Sequence, residues 1–329
     1  MKKLYLLVLL IFIATNLFSD DLSNIQGAFL DVGFGARPMA MGGAYVAIAQ
    51  KANSILWNPA GLSNAIGKHN ISFDNVNLIN LYNYSFVGYG YRLKNNHALG
   101  LGMIYSGDEA MSETTVYLSG AFNCKKYIRL KFLKKISLGA NLKYFGSSFG
   151  NNSDGSFIDG DGEHQVSGSA HGFGLDLGLQ TEISIVKKRS IDQIGIIWRN
   201  PINTISWESN NETGTAEGSY SEGLPSSLII GYGMIKDRFI FSLDYEKALN
   251  QDVEDVVRTG TEFRLFGRNL ALRTGYSQEI YTGDNRRYSF GLGFQVKWKK
   301  ALLFLDIAYQ IQSQWEENNI FRISLDMVL

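Results

Sequence analysis

The chain has 329 residues, with 31 basic against 31 acidic and a formal net charge of zero. That balance leaves no basic field for nucleic acid, which is excluded as a partner; the single cysteine, Cys124, excludes an internal disulfide and a cysteine-built zinc cluster. The excess lies in 35 Gly, 17 Tyr and 20 Phe against 4 Pro, a mixture that suits many β-strands crossing an apolar boundary better than a helical bundle.

The first residues are MKKLYLLVLLIFIATNLFSD. Lys2 and Lys3 ahead of an apolar run from Leu4 to about Ala14 read as an export signal over residues 1–19, with cleavage near Ser19. The run is shorter than the ~20 residues a spanning helix needs. No other long uninterrupted apolar segment follows, so a membrane-integral form of this chain must cross as a closed sheet.

Residues 20–66 read as an N-terminal plug. Gly33, Gly35, Ala36, Ala40, Gly42, Gly43, Ala44, Ala47 and Ala49 are residues that let a backbone lie against a wall. Asn53 to Trp57 suits one helical turn, Pro59 biases Asn58 toward an extended conformation, and Gly61 is expected to supply a positive-φ stop. Arg37, Trp57, Asn58 and Pro59 are the candidate ligand-binding or latch residues; Arg37, Trp57 and Asn58 are expected to line a ligand path or to form a latch to a lumen carboxylate such as Asp176, Asp244 or Asp306.

From Asn70 onward the sequence alternates. Phe290, Leu292, Phe294, Val296 and Trp298 fall on one face and Ser289, Gly291, Gly293, Gln295 and Lys297 on the other; Phe321, Ile323, Leu325, Met327 and Leu329 alternate with Arg322, Ser324 and Asp326 in the same way. The pattern predicts an all-β fold over residues 67–329, a transmembrane antiparallel barrel of about 14 strands of roughly 10 residues each. Strand starts are placed near Asn70, Tyr84, His97, Thr114, Ile136, Phe173 and Ile191, then Ser226, Arg238, Thr259, Leu270, Arg287, Leu302 and Ile320. Short, mostly basic turns alternate with longer polar loops, among them Ser147 to Gly172, Asn200 to Pro225 and Ser277 to Arg286. In bacterial barrels the short turns are periplasmic and the long loops extracellular. Tyr82, Tyr84, Tyr105, Tyr144, Trp198, Tyr245, Tyr276, Tyr288, Trp298 and Tyr309 fall near strand ends, as interfacial girdles do.

Other motifs read as structure. Asp154, Asp159, Asp161 and Glu163 lie among glycines without calcium-loop spacing, and His164 and His171 have no third ligand nearby. The Gly33/Gly35 and Gly291/Gly293 pairs open no helix after a strand, and no nucleophile elbow is present. Neither a metal, a cofactor nor a catalytic group is expected.

The stretch from Phe29 to Leu62, with FLDVGFGAR, MAMGGAYVAIA and ANSILWNPAGL, resembles the N-terminal signature of the PorV/PorQ family of outer-membrane proteins, a branch of the FadL-like barrels. The family usually carries an acidic pair after the small-residue run, where this chain has Gln50 and Lys51. The resemblance implies a non-enzymatic protein of the bacterial outer membrane, in contact with its lipid. It also implies two jobs. FadL-like members pass hydrophobic molecules such as long-chain fatty acids through a plugged lumen and a lateral opening; PorV-like members bind secreted proteins or secretion machinery and need conduct nothing.

Overall fold

The computed structural model describes residues 33–78, 82–107, 111–128, 133–150, 166–183, 190–211, 218–250, 253–282, 285–313 and 319–329. The expected export signal, the start of the expected plug including Phe29, the acidic stretch 151–163 and His164 lie outside the described residues. The remaining plug, residues 33–66, is almost continuously buried. It holds a helix at Ala36–Ala40, a single turn at Ser54–Trp57 and a tighter 3-10 turn at Pro59–Asn64. Asn58 is extended at φ -166, as the following proline requires. Gly61 does not take the expected positive φ; it sits inside the 3-10 turn, and glycine is needed there because a Cβ would strike the Ala49 carbonyl.

Among the described residues fifteen strands follow. They are β1 (His69–Leu78), β2 (Tyr82–Arg92), β3 (Ala98–Gly107), β4 (Met111–Asn123), β5 (Leu133–Phe149), β6 (Val166–Ile183), β7 (Ser190–Asn211) and β8 (Gly218–Glu222). After them come β9 (Ser227–Lys236), β10 (Phe239–Ala248), β11 (Val256–Leu265), β12 (Leu270–Glu279), β13 (Arg287–Trp298), β14 (Ala301–Gln312) and β15 (Ile320–Val328). Each pairs antiparallel with its neighbours, β1 with β15 and β6 with β7, which closes a barrel of 14 strands. β8 stands outside the ring, paired only to the far half of β7. Among the described residues no helix is long and apolar enough to cross a membrane.

The alternation sets which face each side chain takes. Phe290, Leu292, Phe294, Val296 and Trp298 are exposed on the outside, while Ser289 and Gly293 are buried on the lumen side; β15 likewise buries Arg322, Ser324 and Asp326 and exposes Phe321, Ile323 and Leu325. Polar inside and apolar outside inverts a soluble protein and marks a wall solvated by lipid. Tyr105, Tyr144, Trp198, Tyr288, Trp298 and Tyr309 face outward with the band. Tyr84 does not: it points inward at 8% exposure and donates its hydroxyl to Glu113 at 2.6 Å.

Two expected loops are partly strand among the described residues. β5 runs on to Phe149, β6 begins at Val166, and β7 continues through Asn200 and Pro201 to Asn211. Asn200 and Pro201 mimic a turn in sequence but form a bulge, with Asn200 at φ 51 and the register passing from Gly174↔Asn203 to Asp176↔Arg199. A bulge is where a strand tolerates proline. Beyond it β5 to β8 project past the ring as a flap around Phe145, Ala170, Ile205 and Leu224. His171, expected in a loop beside His164, is on β6 and stacks outside against Tyr144.

Candidate functional site

The plug touches the wall where the wall has no side chains. A Cβ at Gly139 would strike the Pro59–Ala60 backbone, one at Gly195 the Val46–Ala47 backbone, one at Gly260 the Met41 carbonyl and one at Gly275 the Gly42 amide. Gly178 receives Pro59, and Gly291 receives Ala40. Small residues on the plug thus meet glycines on β5, β6, β7, β11, β12 and β13. At Gly139, Gly195, Gly260 and Gly275 two backbones approach with nothing between them, which only glycine permits.

Polar wall side chains satisfy the plug's irregular backbone, as burial demands. Asp74 accepts from the Gly35 amide at 2.9 Å, and Asp244 accepts from the amides of Tyr45 and Val46 at 2.7 and 2.9 Å. Asn141 donates to the Ile55 carbonyl at 2.8 Å, and Gln180 donates to the carbonyls of Val46 and Ala49 at 3.0 and 3.1 Å.

The four residues singled out from sequence have distinct places. Arg37, 5% exposed, donates to Glu262 at 2.7 Å and to the Tyr45 hydroxyl at 2.9 Å. Its carboxylate is therefore Glu262 on β11, not Asp176, Asp244 or Asp306. Arg273 bridges the same Glu262, at 2.8 Å, to Asp306, at 2.7 Å, so Asp306 joins the cluster at one remove. Asp176 pairs instead with Lys143 at 2.6 Å. Trp57 donates its indole N–H to the Phe34 carbonyl at 2.8 Å, with Arg199 5.9 Å over its ring. Asn58 is fully buried and donates to the carbonyls of Val46 and Leu179 at 3.1 and 3.0 Å. Pro59 fills the notch at Gly139 and Gly178. Arg37 and Trp57 line cavities; Asn58 and Pro59 fasten plug to wall.

Lys51 resolves the missing acidic pair. It is 4% exposed, donates to Asp326 of β15 at 2.7 Å and lies 3.5 Å above the Phe304 ring. A cation on the plug meets an anion on the wall.

The plug divides the lumen. On the short-turn side a cavity of about 360 Å³ is lined by Arg37, Lys51, Ile240, Glu262, Arg264 and Phe304, among others. On the long-loop side a cavity of about 110 Å³ lies against Phe34, Leu56, Trp57, Ile104 and Tyr117 on one flank and Lys143, Arg199, Glu246, Arg258 and Arg287 on the other. Ligand pockets usually hold ~300–1,000 Å³, so the outer cavity is small as it stands. Its apolar flank continues into Val76, Tyr84 and Phe86 on the inner faces of β1 and β2. Its polar flank holds the Arg258 to Glu246 ion pair at 2.5 Å, with Arg199 3.9 Å from the same carboxylate. Sequence reasoning missed Glu262, Lys143, Arg199 and Arg258; their one sequence signal is a charge at an inward position of an alternating strand.

No family model and no curated protein sequence matches the chain. Solved structures do. The monoaromatic hydrocarbon channel CymD superposes with a TM-score of 0.57 at 16% identity, covering 90% of this chain and 96% of that one. The two chains share a fold. The Pseudomonas putida toluene transporter TodX gives a TM-score of 0.55 at 14% identity, and a Pseudomonas aeruginosa FadL homologue 0.55 at 10%, each covering 90% of this chain and 98% of its own. The PorV/PorQ resemblance of the plug rests on its residues alone.

Proposed function

We propose that the chain is a bacterial outer-membrane barrel, with a signal at 1–19, a plug at 20–66 and the barrel at 67–329, that binds and takes up hydrophobic small molecules bearing an acidic head, long-chain fatty acids above all. The observation that carries this reading is the two-sided outer cavity. An alkyl chain suits Phe34, Leu56, Ile104 and Tyr117, and a carboxylate suits a flank where Lys143, Arg199, Arg258 and Arg287 outnumber Asp176 and Glu246. A purely hydrocarbon ligand has no use for that second flank. The neighbours with this fold include a monoaromatic hydrocarbon channel and a toluene transporter, which supports a hydrophobic cargo. Uptake of labelled fatty acid by cells with and without the gene tests it: a fall on deletion, restored by the wild-type gene but only partly by Arg258→Ala, is expected. Uptake unchanged by deletion would overturn the reading.

The tight seating of the plug favours a second reading, a non-conducting scaffold of the PorV/PorQ type for protein secretion or envelope assembly. Wall glycines pressed on plug backbone suit a permanent stopper, and the β7–β8 flap offers exposed Tyr220 stacked on Trp207 to a protein. Co-purification of secretion components from gently solubilised membrane supports it. Their absence would weaken it.

A further inference from the structure

The zero net charge hides a separation along the barrel axis. Lys94, Lys125, Lys126, Lys134, Lys299 and Lys300 are all exposed at the short-turn rim, joined there by Lys236, Arg238 and Arg268. Asp237 is the exposed carboxylate at that rim among the described residues. The opposite rim carries Glu208, Glu222, Glu254 and Glu279 beside Lys247, Arg286 and Arg287, with a buried Asp255 ion-paired to Lys247 at 3.0 Å. The cations form a ring, not a patch, coming from the β2–β3, β4–β5 and β13–β14 connections and the strand ends beside them, with Lys236 at the end of β9 and Arg268 between β11 and β12. They sit at the edge of the apolar band. Trp298 is 61% exposed with the Lys299 ammonium 5.5 Å over its ring, Tyr127 is 67% exposed, and the Lys68 ammonium lies 5.3 Å over Tyr91.

We propose that the short-turn rim is a collar for acidic phospholipid headgroups of the leaflet it faces. The proposal rests on the reading that the barrel spans a membrane. A protein partner would dock on one side of the rim, whereas a ring of ammonium groups just below outward-facing aromatics complements a plane of anions that surrounds the barrel. Long lysine stems reach along apolar surface to place their charge at phosphate level, and each such cation near an anionic surface adds to the attraction until salt screens it.

The full chain is folded into vesicles of phosphatidylcholine mixed with phosphatidylglycerol, extracted in mild detergent, and its retained lipid identified by mass spectrometry. Phosphatidylglycerol is expected to be enriched over the vesicle composition, less so at high salt, and each of Lys94→Gln, Lys126→Gln and Lys299→Gln should lower the enrichment by up to about fivefold. Glu208→Gln with Glu254→Gln, at the far rim, should leave it unchanged. Folding of all variants into pure phosphatidylcholine gives the reference that separates lost recognition from lost fold. Retained lipid that mirrors the vesicle composition, or enrichment that survives the lysine substitutions, overturns the collar while leaving the spanning barrel intact. Failure of the wild type to enter either vesicle overturns both.

Discussion

The plug meets two different walls. Toward β11, β12, β14 and β15 it is held by charge: Arg37 on Glu262, Arg273 linking Glu262 to Asp306, and Lys51 on Asp326. Toward β1 to β4 it is held by shape: Phe34, Ile55 and Leu62 pack on Val76, Phe86, Ile104 and Tyr117. The charged wall fixes where the plug sits, since a buried cation tolerates few positions. The apolar wall supplies burial with less geometric demand, and so is the side on which side chains can shift to admit a ligand.

Four substitutions would break or sharpen that contrast. Glu262→Ala should be the most damaging, about 3–5 kcal/mol, because Arg37 and Arg273 lose a shared buried partner; the shift in urea unfolding of the barrel in detergent measures it. Leu62→Ala, on the plug where it packs on the apolar wall, should cost about 3 kcal/mol by the same assay, and a larger loss than for Glu262→Ala would reverse the ranking of the two walls. Gly275→Ala presses a methyl on the Gly42 amide and should cost about 1–3 kcal/mol; limited proteolysis should find the plug loosened while the strands stay protected. Tyr84→Phe, which removes one hydrogen bond to Glu113 from the apolar wall, should cost about 1 kcal/mol and leave fatty-acid binding, read by calorimetry, nearly unchanged.

The same contrast explains what was legible beforehand. Strand positions and faces follow from a period of two along the chain, so Phe294 outside and Gly293 inside needed no tertiary information. The small residues of the plug announced close packing against a wall. Their partners did not announce themselves: Arg37 and Glu262 are 225 residues apart, and nothing local distinguishes Glu262 from any other inward carboxylate. Asn200 and Pro201 misled because a turn and a bulge call for the same residues. Tyr84 misled because an aromatic near a strand end suits lipid, whereas this lumen has an apolar sector of its own.

One seam has a consequence for how the molecule is made. The plug bonds at one end of the chain to β15 at the other, through Ala36 to Ser324 and Lys51 to Asp326, across 288 and 275 residues. The last strand must be in place before those bonds exist, and once β15 zips to β1 the glycines enclose the plug on every side. Closure of the barrel and seating of the plug are thus coupled, since the strand that seals the ring is also bonded to what fills it. A synthetic barrel lacking residues 20–66 should close slowly and in several registers, because the object that sets its girth would be gone.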